Sequence, residues 1–324
     1  MVYTEYGGPQ VLRLIEAAKP VPADHQVLVK IHAASANPLD WHTMRGEPFV
    51  ARLDNGLRKP KSHLLGADVA GIVEAVGSKV TQFKPGDEVF GDISGGGLGG
   101  FAEYACTREN SLALKPSNLS FEEAAATPVV GFTAIQGLRD KGGIKAGQKV
   151  LINGASGGVG SFAVQYAKAC GAEVTGVCST RNLDLVRSIG ADHVIDYTRQ
   201  DFTKGSRCYD LIYDAVGNLS VLGARRVLNP SGKCVVAGFT TLARMFQVIT
   251  LGPIVSMAGS RKIGLMGIAV PNQKDLLIIR ELLETGRVRA VIDRRYPLSQ
   301  TAEAIRYLET GRARGKVIIT IASD

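Results

Sequence analysis

Gly147-Gln148-Lys149-Val150-Leu151-Ile152-Asn153-Gly154-Ala155-Ser156-Gly157-Gly158-Val159-Gly160 is the stretch from which the fold can be read. Three apolar residues, Val150 to Ile152, run into a glycine turn. Ser161 to Cys170 then has the apolar spacing of a helix, and Gly171 ends it. A strand, a glycine turn and a helix N-terminus in that order bring backbone N–H groups and the positive end of the helix dipole to one point, which suits a phosphate. Against the pattern G-x-G-x-x-G the register is Ala155-Ser156-Gly157-Gly158-Val159-Gly160, with Ala155 in the first glycine position. Gly157 is expected to let backbone approach a pyrophosphate and Gly160 to let the helix pack closely on its sheet.

The pattern extends in both directions. Apolar runs recur at Glu173–Cys178, His193–Asp196, Leu211–Asp214, Lys233–Ala237 and Ile263–Met266, and helical segments at 158–170, 181–189 and 219–228 fall in three of the four gaps between the first five strands. Strand–helix alternation predicts right-handed crossovers and an α/β, doubly wound parallel sheet. Before it, residues 1 to about 118 are mostly β, with strands at 27–32, 69–77 and 88–90 closely punctuated by Gly and Pro, and a loop at 95–100. Ser120 and Glu123 spell a capping box at the boundary. After the sheet come a helix at 274–283, a short strand at 291–292, a helix at 302–309 and a closing strand at 316–321.

The residue at the end of the second strand selects the cofactor. A fold that binds NAD places Asp or Glu about 20 residues beyond the glycines to hold the ribose 2′-hydroxyl. Here the segment reads Cys178-Ser179-Thr180-Arg181-Asn182, with Ser179 and Arg181 suited to a 2′-phosphate. NADPH is therefore the expected cofactor. Tyr197, Val216, Gly217, Gly238 and Phe239 follow later strands and are expected to line the same crevice, whose walls are strand carboxyl ends.

Composition restricts the alternatives. The chain has 324 residues, is 45% hydrophobic, and carries a formal charge of +8 from 38 basic and 30 acidic residues. The basic residues are dispersed rather than blocked, which argues against nucleic acid as a main partner. The five cysteines are far apart with no CxxC pair, which fits a reducing, cytoplasmic setting. No uncharged apolar run approaches the roughly 20 residues of a membrane span. His25, His32, His42, His63 and His193 are scattered, and no spacing suggests a metal site.

The whole chain resembles the zinc-free medium-chain dehydrogenase/reductases, in the quinone oxidoreductase (zeta-crystallin-like) branch. The resemblance rests on Ala34-Ser35-Ala36-Asn37-Pro38-Leu39-Asp40, Gly66-Ala67-Asp68-Val69-Ala70-Gly71, Phe83-Lys84-Pro85-Gly86-Asp87-Glu88-Val89, and the glycine-loop segment through Gln165 and Lys168. Zinc-dependent members place a cysteine near Asn37 and a histidine at the position of Ala67, and the four-cysteine lobe has no counterpart here. The resemblance implies a GroES-like (chaperonin-10-like) catalytic domain at 1–118 and 268–324 and a Rossmann domain at 119–267. It also implies a homodimer joined through the sheet edge near 255–268. The implied activity is metal-independent hydride transfer from NADPH to quinones or to the C=C bond of α,β-unsaturated carbonyls. Asn37 and His42 become the candidate catalytic residues, His42 as a proton donor in competition with solvent, and Thr133 is expected beside the nicotinamide. An NADPH-binding protein with a nucleic-acid-binding or structural role is the rival reading.

Overall fold

The computed structural model describes residues 1–49, 52–257 and 259–321. It divides into two compact units, one of Met1–Val129, Val270–Gly286 and Ala290–Asp324, the other of Val130–Ala269 and Arg287–Arg289.

The first unit begins with strand β1 (Gln26–Ala36), helices α1 (Pro38–Arg45) and α2 (Arg52–Asn55), strands β2 (Asp68–Val76), β3 (Glu88–Asp92), β4 (Tyr104–Arg108) and β5 (Leu112–Leu114), and helix α3 (Phe121–Ala125). Helix α4 (Pro128–Ile135) leads into the second unit. There β6 (Lys149–Asn153), α5 (Gly158–Ala169), β7 (Glu173–Cys178), α6 (Leu183–Ser188), β8 (His193–Asp196), β9 (Tyr209–Asp214), α7 (Val221–Val227), β10 (Leu228–Val236), α8 (Leu242–Met257) and β11 (Lys262–Leu265) follow in turn. The chain closes with α9 (Gln273–Glu284), β12 (Ile292–Pro297), α10 (Thr301–Glu309) and β13 (Lys316–Thr320).

The second unit is a parallel sheet in the order β11-β10-β9-β6-β7-β8. Renumbered within the sheet, that is the order of the dinucleotide-binding fold, 3-2-1-4-5-6 read from β8, and it reverses between β6 and β9. Val150, Leu151 and Ile152 of β6 are fully buried, as a central strand covered on both faces requires. Against it lies α5, buried continuously from Gly160 to Ala167.

In the first unit β1 is the organising strand. It pairs antiparallel with β2, β4 and β13, so the tail of the chain returns to the strand that opened it. Two register shifts, at Leu28/Val29 and Ile31/Ala33, bend β1 between these partners. Tyr3, Ile31, Met44, Leu65, Phe101 and Leu112 fill the core under the sheet. The Ser120 capping box is present: Ser120 Oγ accepts from Glu123 N at 3.2 Å, and Glu123 Oε2 accepts from Ser120 N at 2.9 Å.

The structure departs from the sequence expectations in three places. The eleven-residue β1 is about twice as long as its alternating core suggested, and α1 follows it directly. Helix α8, sixteen residues with Pro253 inside it, connects β10 to β11 where no helix was expected. The glycine stretch at 95–100 is only partly a surface loop, because Gly99 and Gly100 are buried and donate backbone N–H groups to Gly66 O at 3.1 and 2.9 Å.

Candidate functional site

In the parallel-sheet unit, the loops after β6 and β9 meet where the strand order reverses. The buried side chain of Asn153 spans the gap, its Nδ2 donating to Asp214 Oδ1 and to Asn218 Oδ1, each at 2.8 Å. Asp214, wholly buried, accepts backbone N–H groups from Val216, Gly217 and Leu219 and so winds the turn after β9. Gly217 in that turn has φ +71, and a Cβ there would lie 1.9 Å from Gly238 O. Val216 approaches the glycine loop itself, its Cγ2 standing 2.5 Å from where a Cβ of Gly154 would be. Val216 thus stands against the glycine loop, and Gly217 against Gly238 and Phe239.

The two informative glycines of the loop differ in what constrains them. A Cβ on Gly160 would meet Gly154 O at 2.0 Å, so its bareness is demanded by the helix packing on the loop. A Cβ on Gly157 would meet only Gly154 O, at 3.5 Å, an ordinary contact. Nothing in the protein's own packing requires Gly157 to be bare; the space over it is what bareness preserves. Gly157 is also the N-cap of the twelve-residue α5 and gives it no side-chain cap. The loop Ala155-Ser156-Gly157-Gly158-Val159-Gly160 therefore presents uncapped backbone N–H groups beside open space, the arrangement a pyrophosphate needs. Residues 154–158 also spell G-x-S-x-G, the turn of a hydrolase nucleophile. Here, however, the Ser156 hydroxyl is held by an amide N–H of Asn182 at 2.9 Å rather than by a histidine base.

At the end of β7, Ser179 and Arg181 stand on a short turn beside the glycine loop. Asn182 joins the two, donating to Ser156 Oγ and, at 3.3 Å, to Ser179 Oγ. A carboxylate is nearby after all: Asp196, at the end of β8, accepts from Thr180 Oγ1 at 2.5 Å and from Thr198 N and Oγ1 at 3.0 and 2.7 Å. The Thr180 hydroxyl, then the hydroxyl and backbone N–H of Thr198, hold this carboxyl below its usual range, and its oxygens are occupied by the turn. Tyr197 follows it, is largely exposed, and is anchored by its N–H to Cys178 O. Thr133 lies on α4, where its carbonyl accepts from the buried Tyr213 hydroxyl of β9 at 2.9 Å, which fixes it to the sheet.

The second cluster lies in the β1 unit. Asn37 caps α1 and is 1% exposed. Its Nδ2 donates to Ser35 O at 3.2 Å and to Asp68 Oδ2 at 2.8 Å, and its Oδ1 accepts from Lys316 Nζ at 2.5 Å. Lys316 also pairs with Asp68 at 3.1 Å, both side chains being buried. Asp68 Oδ1 accepts from Val129 N at 2.8 Å, and Ser35 Oγ donates to Oδ2 at 2.6 Å. Asp40 accepts from Asn37 N and Gly66 N, each at 2.8 Å, and burial pushes its carboxyl up to about 7. Burial, and next the charge of Asp68, push Asp92 up to about 6.

Both amide hydrogens of Asn37 are thus committed inside the protein. His42, five residues on, stacks on Trp41 with ring centroids 3.6 Å apart and places Nδ1 2.7 Å from Glu47 O. A carbonyl only accepts, so Nδ1 carries the hydrogen in this bond. Burial lowers the pKa of His42, against the smaller opposing effect of the Glu47 carbonyl. Sequence reading missed Asp68, Asp40, Lys316 and Asn182; their signal is polarity at positions a strand or helix pattern marks as buried, which appears only once the register is known.

A doubly wound sheet with an open anion turn at its switch point, in a chain that also carries a GroES-like β unit, defines a nucleotide-dependent dehydrogenase or reductase. Residues 23–117 match the alcohol dehydrogenase GroES-like domain, and residues 189–319 match a family described as zinc-binding dehydrogenase. The chain is 39% identical to the 2-methylene-furan-3-one reductase of Solanum lycopersicum, over 98% of this chain and 77% of that one. It is 36% identical to the chloroplastic NADPH-dependent alkenal/one oxidoreductase of Arabidopsis thaliana, over 98% and 78%. Among solved structures, the quinone oxidoreductase from Coxiella burnetii superposes with a TM-score of 0.85 at 31% identity, covering 99% of this chain and 98% of that one. The chain belongs to the zinc-free medium-chain dehydrogenase/reductase family, in its quinone oxidoreductase branch. The donor set does not suit the zinc of the family description: Ala67 cannot coordinate, and among the described residues no group of three or more His, Cys, Asp or Glu side chains could hold a metal ion.

Proposed function

We propose that this protein is an NADPH-dependent reductase of quinones or of the C=C bond of α,β-unsaturated carbonyls, working without a metal. The observation that carries the reading is the open space over Gly157 at the switch point, with Ser179 and Arg181 where an NAD-specific fold has a carboxylate. The names of the tomato and Arabidopsis relatives support the substrate class and the cofactor.

When bound, NADPH supplies the hydride. The N–H groups at the start of α5 hold the pyrophosphate, Ser179 and Arg181 hold the 2′-phosphate, and Tyr197, Val216, Gly217, Gly238 and Phe239 line the crevice. Thr133 stands beside the nicotinamide. Asn37 serves as a positioning residue for α1. The proton that completes the reduction comes from solvent, since burial lowers the His42 pKa and disfavours the charged ring that would donate it. A cytoplasmic homodimer completes the proposal; among the described residues no helix is long and apolar enough to cross a membrane.

The test is NADPH oxidation over a panel of quinones, enones, enals, simple aldehydes and alcohols, with and without a chelator. Turnover of quinones or enones, unaffected by chelation, is expected. Activity confined to simple aldehydes or alcohols, or abolished by the chelator, would overturn the reading.

A further inference from the structure

Asn182 is 5% exposed, and its amide is spent unusually. Both hydrogens go to serine hydroxyl oxygens, Ser156 Oγ at 2.9 Å and Ser179 Oγ at 3.3 Å, while its Oδ1 is buried with no hydrogen-bond partner. A buried polar atom without a partner costs free energy and calls for an explanation. Turning the amide over does not remove the cost, because it would bury an unpaired NH₂ group in place of one oxygen, and buried N–H groups are the ones proteins most rarely leave unpaired.

The explanation lies in the hydroxyls. A serine hydroxyl has one hydrogen to donate and lone pairs with which to accept. Ser156 and Ser179 each accept from Asn182, and neither donates to any described residue, so both O–H hydrogens are directed away from the amide. Ser156 belongs to the glycine loop and Ser179 to the turn after β7. We propose that Asn182 is a positioning residue for phosphate recognition: it orients the Ser156 hydroxyl as a donor to the pyrophosphate and the Ser179 hydroxyl as a donor to the 2′-phosphate of NADPH. The unsatisfied Oδ1 is the cost of keeping both serines as donors. The inference rests on the NADPH reading and adds a residue to it.

The experiment measures dissociation constants of NADPH and NADH by titration calorimetry on the full chain, with melting temperature as the check on folding. In Asn182→Asp the new carboxylate only accepts, so both hydroxyls turn inward. NADPH binding is expected to weaken at least about tenfold, the scale of a lost hydrogen bond to a charged group, and NADH binding less. In Asn182→Leu, which removes the orienting donor without adding charge, a smaller loss in the same order is expected. Where Asn182→Asp folds poorly, Asn182→Leu combined with Ser179→Ala decides. The two NADPH losses should be strongly non-additive, because both remove one donor. NADPH binding within about twofold of the parent in a folded Asn182 variant, equal losses for both cofactors, or additive losses in the double variant would overturn the role of Asn182. A parent chain that takes up no NADPH would instead defeat the functional reading beneath it.

Discussion

At the scale of single residues, the structure separates groups the sequence presents as equals. Gly157 and Gly160 are two letters of one motif, but only Gly160 is bare because its neighbours leave no room. Gly160→Ala forces a Cβ against backbone and is expected to lower the melting temperature by several degrees, or to prevent folding, as overpacking does. Gly157→Ala has φ −78 and an ordinary contact to accept, so it should melt near the parent temperature while losing NADPH affinity. Thermal melts and cofactor titration on the two variants check this; an Ala at 157 that binds NADPH normally would mean the open space serves something else. His42 is a similar case. Its hydrogen lies on Nδ1 against Glu47 O and its pKa is lowered by burial, so His42→Ala should leave kcat at neutral pH close to that of the parent. A drop of about a hundredfold, the range general acid catalysis supplies, would restore it as the proton donor.

At the scale of elements, the helix that carries His42 is fixed by a buried carboxylate. Asp40 ties the N-terminus of α1 to the Gly66 turn, and the charged groups facing it are Asp68, on β2, and Lys316, on β13; Asp92, on β3, titrates in the same network through Asp68. Its carboxyl ordinarily titrates near 3.8 and does so at about 7 here, so the folded chain holds a proton there that the unfolded chain has released. That contribution is fully present below about pH 4 and is lost as pH rises through about 7. At about 1.4 kcal/mol for each tenfold, the loss amounts to roughly 4 kcal/mol. Urea unfolding at pH 5 and pH 8 should show the parent losing more stability between these values than Asp40→Asn, which has no proton to release. An equal loss in both would remove Asp40 as the cause. None of this was legible beforehand, because Asp40, Asp68 and Lys316 lie far apart in the sequence and meet only through the pairing of β1 with β2 and β13. The parallel sheet was legible, since each of its strands is a short apolar run between turn residues. Helix α8 was not. It buries chiefly Val248 and Gly252, exposes Leu242, Phe246, Ile249, Ile254 and Met257, and contains Pro253, so its apolar residues mark no single core-facing stripe.

At the scale of the whole molecule, the six-stranded sheet has two edges that differ in chemistry. The β8 edge carries charge: His193 pairs with Glu173 at 2.9 Å, Arg207 pairs with the same carboxylate, and Asp192 pairs with Lys168 at 2.8 Å. Charged side chains are how proteins keep an edge strand from pairing. The β11 edge carries one exposed charge, Lys262 at its start, and is apolar beyond it. Met257 before it is 88% exposed and Ile268 after it 93%, with Leu265 and Ile254 also open to solvent. Apolar exposure along an unpaired edge is what a subunit interface looks like from one side, and a second copy presenting the same strand would satisfy both edges at once under twofold symmetry. Light scattering should therefore give about twice the chain mass of 34.4 kDa. Replacing Met257 and Ile268 together by Asp puts two carboxylates on each side of that contact and should yield a monomer that still binds NADPH, because the glycine loop lies at the centre of the sheet, away from this edge. A parent chain that runs as a monomer, or a double variant that stays dimeric, would show that the β11 edge is covered in some other way.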